Sequence, residues 1–78
     1  MIHPGELLRD ELHARHMTQV EFARAIGRPA QMVSEIITGK KSVTAQTAIQ
    51  IGTALGTSAL FWMSLQAQYD IDKLGGDR

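Results

Sequence analysis

The sequence predicts an all-α domain made of five helices, and three features of its 78 residues support this. Apolar residues recur at helical spacing in five segments. Residues that favour helix starts precede most of these segments, and glycine follows most of them. No segment alternates apolar and polar residues as a half-buried strand does. The length fits one domain spanning residues 1–78.

The first two helices have clear start signals. Helix 1 begins at Pro4, since the missing N–H of proline has no partner in the first helical turn, and leucines then repeat at i,i+4 spacing. Helix 2 opens with Thr18 and Glu21 in the spacing of a capping box. Gly27 suits the left-handed turn that ends helix 2.

The remaining three helices follow from the same signals. Helix 3 starts at Pro29, is closed by Gly39, and has one broad apolar side made of Met32, Val33, Ile36 and Ile37. Helix 4 runs from about Thr44, a good N-cap, to Leu55, where Gly56 ends it. Helix 5 covers about 58–74.

Charge is balanced in number but uneven in position. Eight Lys and Arg match eight Asp and Glu, and six of the eight basic residues precede Ser42. Ser42 to Tyr69 carries no charge, but polar residues interrupt it too often for a membrane span, and the N-terminus does not resemble a secretory signal. Because there is no cysteine, no disulfide or thiolate metal site is expected. We therefore expect a cytoplasmic protein without a membrane segment.

The sequence offers little for catalysis. The only imidazoles are His3, His13 and His16, of which the last two form an i,i+3 pair expected on one helical face. A metal site would need further ligands, and the nearby acids are explained by pairs such as Glu11 with Arg15. No phosphate-binding loop or nucleophile motif is present. We expect no catalytic residue, metal or cofactor, and regard enzyme activity as the weakest hypothesis.

Helices 2 and 3 have the spacing of a helix-turn-helix, at about 18–38. Such a motif needs a small residue where the helices cross, glycine-like backbone in the turn and apolar residues on the inner side of its second helix. Ala23, Gly27, Val33 and Ile36 meet these needs at consistent spacing.

The outward face of helix 3 is what remains after its apolar side is assigned to the core: Ala30, Gln31, Ser34, Glu35 and Thr38. These short or amide-bearing side chains fit a major groove, where Gln31 would read adenine and Ala30 would touch a thymine methyl. Ser34 and Thr38 would contact base edges or phosphate. Glu35 would either accept from a cytosine amine or be held by a basic neighbour.

Four further residues are candidates for the DNA backbone. Lys40 and Lys41 follow helix 3 in a loop where cations would release counterions, and Thr18 and Gln19 stand at the positive end of helix 2. Taken singly, these residues and those of the outward face are also typical of an ordinary solvated surface. The complete spacing from Gln19 to Thr38 favours DNA binding.

Helix 5 has apolar residues on more than one stripe, so one side is free to meet a second subunit. We assign Phe61, Trp62, Leu65 and Tyr69 to a homodimer interface. For Phe61 and Trp62 a core position is an equally simple interpretation, and a ligand pocket is a weaker one. A dimer would set two recognition helices ~34 Å apart, which matches one turn of DNA.

The segments "HPGELL", "TQVEFARAIG", "VSEIITGKKSVTAQTAI" and "LGTSALFWMSLQAQYDI" resemble the phage-repressor-like (XRE-type) helix-turn-helix family, and more narrowly the HigA-type antitoxins. The "HPGE" opening together with "FWMSLQAQYD" is the more specific part. The resemblance implies a five-helix dimer that represses its own operon at a palindromic operator. It also implies a cognate HigB-type toxin, a RelE-like ribonuclease that cleaves messenger RNA. The same base-reading and backbone positions are implied, although Pro29 stands where many relatives have Ser or Thr.

The four-residue tail "GGDR" is too short to wrap a toxin. We therefore expect a folded surface to neutralise the toxin, and Glu6, Asp10 and Glu11 are candidates for that surface. Two other classes stay open: a stand-alone repressor with no toxin, and a protein-interaction module that no longer binds DNA. The neighbouring reading frame would separate the first of these from an antitoxin, since a toxin would be a basic chain of about a hundred residues.

Overall fold

The computed structural model describes residues 2–76 and contains five α-helices in that part of the chain. They are α1 (Pro4–Ala14), α2 (Gln19–Ile26), α3 (Ala30–Ile37), α4 (Ala45–Leu55) and α5 (Ala59–Leu74). No strand occurs among these residues. The all-α, five-helix prediction is confirmed, and the predicted boundaries lie within two residues of the observed ones.

Helix starts and ends follow the local signals in the sequence. The Thr18 hydroxyl accepts from the backbone N–H of Glu21, whose carboxylate accepts from the backbone N–H of Thr18 at 2.8 Å. Gly27 ends α2 with φ of +69°, a conformation that costs glycine little. The Thr44 and Ser58 hydroxyls cap α4 and α5 by accepting from the backbone N–H groups of Thr47 and Phe61.

His3 caps α1, which the sequence reading did not foresee. Its Nδ1 accepts from the backbone N–H of Gly5 at 3.1 Å, and the Glu6 carboxylate accepts from the backbone N–H of His3 at 3.2 Å. The imidazole therefore replaces the Ser or Thr hydroxyl of the usual capping box. The predicted pairing of His13 with His16 on one helical face is wrong, because α1 ends at Ala14 and His16 has a positive φ of 55°.

The helices enclose one apolar core, to which every helix contributes: Leu8, Leu12, Phe22, Ala23, Met32, Val33, Ile36, Ile37, Val43, Ala48, Ile51, Leu55 and Trp62. Helix α4 packs against α2 and α5, and α3 packs against α1 and α2. All four apolar residues predicted to face inward from α3 are buried. This packing fixes which side of α3 remains outside.

Trp62 lies inside this core, so its assignment to a dimer interface is wrong. The side chain is 0% exposed, and its indole Nε1–H donates to the Thr57 hydroxyl at 2.8 Å. A side chain enclosed by its own protomer has no surface to offer a second subunit. The hydrogen bond to Thr57 satisfies the one polar group of the indole, which makes full burial affordable in free energy.

No helix among residues 2–76 is long and apolar enough to cross a membrane.

Candidate nucleic-acid interface

Helices α2 and α3 form a tight corner around Gly27. The backbone N–H of Gly27 donates to Arg24 O at 3.3 Å, and that of Arg28 donates to Ala23 O at 3.0 Å. Ala23 is buried at the crossing, as the helix-turn-helix spacing predicts. The Arg28 guanidinium donates to Gln50 Oε1 at 3.1 Å, which ties this corner to α4.

The predicted base-reading residues do share one side of α3, but they differ in exposure. Gln31 and Thr38 are exposed, whereas Ser34 and Glu35 are half-buried. Ala30 is half-buried as well and packs against the core, so its methyl group is not freely outward as predicted. The physical reason is that Ala30 opens the helix next to the turn, where α2 is close. Of the two long side chains on this face, Gln31 is exposed and Glu35 is half-buried.

The Thr38 hydroxyl is already engaged within α3. Its Oγ1 donates to the carbonyl oxygens of Ser34 at 3.0 Å and Glu35 at 3.3 Å. A hydroxyl has one proton to donate and two lone pairs that accept. In this geometry Thr38 offers lone pairs to a base amine, and contact with a phosphate oxygen would require the hydroxyl to turn.

Glu35 contacts the two following lysines through its backbone carbonyl and not through its carboxylate. Its carbonyl oxygen accepts from the backbone N–H groups of Lys40 at 2.8 Å and Lys41 at 3.1 Å. Within residues 2–76, no ion pair links the Glu35 carboxylate to a basic group. Of the two roles left open for Glu35, a salt bridge to a neighbour in the same chain is therefore not formed.

The N-terminus of α2 presents Thr18 and Gln19, both of which are exposed. Thr18 Oγ1 accepts a hydrogen bond from the backbone N–H of Glu21. Hydrogen bonds from the backbone and then the side chain of Thr18 lower the pKa of Glu21, and the nearby charge of Arg24 adds to this. The capping box of α2 therefore favours the ionised form of Glu21.

Lys40 and Lys41 are exposed in the loop between α3 and α4. The far end of this loop is held by a buried residue of α5, since the backbone N–H of Val43 donates to Gln66 Oε1 at 2.8 Å. The sequence reading overlooked Gln66, yet a signal was present. Gln66 lies one helical turn after Trp62, and so on the side of α5 that faces the core.

The proposed dimer residues other than Trp62 stay partly accessible. Phe61 is 43% exposed and packs its ring edge-to-face against Trp62 at 5.4 Å. Leu65 and Tyr69 are half-buried, the first against the core and the second against His3. The most exposed apolar side chains of α5 form a different stripe, which is defined below.

The acidic residues proposed for α1 are mostly engaged with neighbours in the chain. Glu6 caps α1, and Glu11 Oε2 accepts from Arg15 Nε at 3.4 Å and lies 3.3 Å from Arg15 Nη2, which confirms the predicted i,i+4 pair. Asp10 lies 3.7 Å from Arg9 and is the most exposed of the three acids. Among the described residues, no three His, Asp or Glu side chains come together as a metal-binding group.

A capped helix, a tight glycine turn and a second helix whose polar side is exposed together define a helix-turn-helix domain of the DNA-binding type. The chain belongs to the Helix-turn-helix family HTH_3, whose model matches residues 8–62. The match covers α2, α3 and α4 in full.

Solved structures of antitoxins are similar to this chain. HigA of Pseudomonas aeruginosa, solved with the higBA promoter, is 39% identical at a TM-score of 0.90, covering 94% of this chain and 80% of that one. An addiction module antidote protein of the HigA family from Coxiella burnetii is 36% identical at a TM-score of 0.87, covering 96% and 87%.

A third relative is longer. Virulence-associated protein A' of Dichelobacter nodosus is 35% identical over 74 residues, which are 94% of this chain. The chain spans 64% of the length of that protein.

Proposed function

We propose that this protein is a sequence-specific DNA-binding antitoxin that represses its own operon as a homodimer and neutralises a HigB-type, RelE-like toxin. One observation carries the proposal: a polar, partly exposed side of α3, opposite four buried residues that pack in the core, in a fold shared with an antitoxin solved with its promoter. The function is binding rather than catalysis. Its place is the cytoplasm, at the operator DNA of the nucleoid.

DNA binding would combine base reading by α3 with backbone contacts on both sides of it. Gln31 would read adenine through its amide. Ser34, Glu35 and Thr38 would contact neighbouring base edges, and the half-buried Ala30 would contact DNA only with the exposed part of its methyl group. Thr18, Gln19, Lys40 and Lys41 would meet phosphates.

The binding assay measures affinity for the operon's own promoter at several salt concentrations. Lys40→Ala with Lys41→Ala should weaken binding to every sequence and reduce the slope of log affinity against log salt by about 2 per bound protomer, since each phosphate contact contributes ~0.9. An unchanged slope would show that these lysines are not on phosphate.

Gln31→Ala supplies the contrasting result. It should cost ~1–3 kcal/mol at one base position if the amide makes a bidentate contact, and leave the salt slope unchanged. A uniform loss across all operator variants would argue against base reading by Gln31.

For the dimer, we propose the stripe of α5 formed by Leu60, Ser64, Ala67, Ile71 and Leu74, with Phe61 at its edge. The spacing of four, three, four and three residues places these side chains on one helical face. Leu60 is 74% and Leu74 87% exposed. Two antiparallel copies centred on Ala67 would place Leu60 against Leu74 and the small Ser64 near Ile71.

Toxin neutralisation is tested in cells. Expression of a basic chain of about a hundred residues from the neighbouring reading frame should arrest growth, and co-expression of this protein should restore it. Asp10→Lys tests the α1 surface, because Asp10 is the exposed acid there. Restoration by a variant that cannot bind promoter DNA would show that the two functions use different surfaces.

A further inference from the structure

Two motifs from opposite ends of the chain meet beside the loop that carries Lys40 and Lys41. They are "HPGE" at residues 3–6 and "LQAQYD" at residues 65–70, and both lie outside the range 8–62 matched by the general helix-turn-helix family. The rings of His3 and Tyr69 are in edge-to-face contact at 5.7 Å. A polar cavity of about 140 Å³ is lined by residues of both motifs and of that loop.

The lysine loop, residues 38–44, is anchored at two points. Its first half is held by α3, where Glu35 O accepts from the backbone N–H groups of Lys40 and Lys41. Its second half is held by α5 through the buried bond from Val43 N to Gln66 Oε1 at 2.8 Å. The Val43 side chain is itself part of the core.

Gln66 is oriented so that both ends of its amide are used. The side chain is 6% exposed, and its Nε2 donates to Asp70 Oδ1 at 3.0 Å, which leaves Oε1 facing Val43. An apolar residue here would fill the same space but leave the Val43 N–H without a partner. Such a loss favours movement of the loop, because a buried N–H without a partner is costly.

His3 braces the same loop from the other side. Gly39 has φ of +82°, and a methyl group added to it would lie only 3.1 Å from His3 Nε2. The imidazole therefore fills the space between Gly39 in the loop and Tyr69 on α5. The Tyr69 ring also contacts the Lys73 ammonium, which lies 5.5 Å from the ring centre.

We propose that Gln66 is a positioning residue for DNA binding, which holds the lysine loop so that Lys40 and Lys41 reach the DNA backbone, and that His3 supports the loop in the same position. This inference rests on the proposed DNA-binding function. A loop that is ordered before binding loses less conformational entropy when its cations meet phosphates. Gln66 acts through the loop and does not touch DNA.

The test compares Gln66→Met with Gln68→Met in binding to the promoter DNA. Both residues are glutamines of α5 whose amides donate to an aspartate four residues later. Gln68, however, is exposed, and within residues 2–76 its side chain bonds only to Asp72 of its own helix. Gln66→Met should lower the salt slope by about 1–2 per bound protomer. Gln68→Met should bind with the slope of the wild type.

A double-mutant cycle shows whether Gln66 acts through the lysines. When Lys40→Ala and Lys41→Ala are already present, adding Gln66→Met should leave the slope unchanged. A further decrease, equal to that seen in the wild-type background, would overturn the inference. So would a folded Gln66→Met protein with the wild-type slope.

Amide hydrogen exchange measures loop order without DNA. Gln66→Met should speed exchange at Val43 by at least tenfold while amides of the core helices keep their protection. If Gln66→Met does not fold, His3→Asn replaces it, since asparagine keeps the helix cap but removes the ring beside Gly39. His3→Asn should lower the salt slope, and an unchanged slope would overturn the inference.

The two proposals fail in different ways. If the wild-type protein does not bind promoter DNA, the proposed function fails, and positioning for DNA fails with it, whatever the exchange at Val43. If the wild type binds with a steep salt dependence and Gln66→Met matches it, only the positioning role is refuted.

Discussion

Gly5→Ala tests the close contact between α1 and α3, because two physical effects predict changes of opposite sign in the free energy of unfolding. A methyl group at Gly5 would overlap the carbonyl oxygen of Ile36 and lie 2.7 Å from both Ile36 C and Ile37 Cα. Non-bonded carbon atoms prefer separations of about 3.5–4.0 Å. Helix α1 would therefore have to move by about 1 Å away from the end of the recognition helix.

The magnitude follows from these distances. Helix propensity alone would make alanine more stable than glycine by up to about 1 kcal/mol. Overpacking against backbone, which cannot rotate away as a side chain can, costs about 1–3 kcal/mol and at times more. We expect Gly5→Ala to lower the free energy of unfolding by about 2 kcal/mol, a large part of the ~5–15 kcal/mol of a typical domain.

Urea denaturation followed by circular dichroism measures this change. Gly27→Ala is the matched control, because no atom lies within 4 Å of the added methyl there and only the positive φ of 69° is strained. The control should lose about 1–2 kcal/mol from its backbone conformation alone. A Gly5→Ala protein as stable as the wild type would refute the close approach of α1 to α3.

Three further results are expected. Thr57→Val should lower the free energy of unfolding by about 1–3 kcal/mol, because it leaves the indole N–H of Trp62 without an acceptor, and thermal denaturation measures this. Glu21→Gln should have a lower free energy of unfolding than the wild type at pH values above 4.5, the ordinary pKa of glutamate. This difference should shrink as the pH falls through the lowered pKa of Glu21 in the folded state. Denaturation between pH 3 and 7 measures it, and a difference that does not change with pH would contradict the prediction. Leu60→Glu should convert the dimer to a monomer in sedimentation at micromolar concentration. The control Ile49→Glu, on the exposed side of α4, should leave the dimer intact. A Leu60→Glu protein that is still a dimer would show that the α5 stripe is not the dimer interface.

The helix boundaries could be predicted because their signals are local. A capping box needs only residues three apart, and Thr18 with Glu21 forms one in the structure. The glycine that ends α2 needs no distant partner either. The same holds for the buried side of α3, whose four apolar residues have unambiguous helical spacing.

The orientation of α5 could not be predicted, because apolar residues lie on several of its sides. Spacing alone does not decide whether Trp62 or Leu60 faces the core, since both belong to apolar stripes. The decision comes from packing, as the hydroxyl of Thr57 accepts the indole proton of Trp62 and draws that side inward. Leu60 is consequently left outside at 74% exposure.

The partners of His3 and Gln66 could not be identified from the sequence either, for a different reason. Each is defined by a partner that is distant along the chain: His3 contacts Gly39 and Tyr69, and Gln66 binds the backbone of Val43, 23 residues earlier. A polar residue on the inner side of a helix signals that such a partner exists. It does not identify that partner.

Because the net charge of the protein is zero, the loop that carries Lys40 and Lys41 is especially important for the proposed function. A dimer that neutralises four phosphates with Lys40 and Lys41 would have a salt slope of about −3.6, so its affinity would fall about 150-fold between 50 and 200 mM salt. With so few cations, binding to bulk DNA is weak, and selectivity rests on the α3 surface. Because each lysine then supplies a large share of the electrostatic attraction, the hydrogen bond that orders their loop matters more here than it would in a strongly basic repressor.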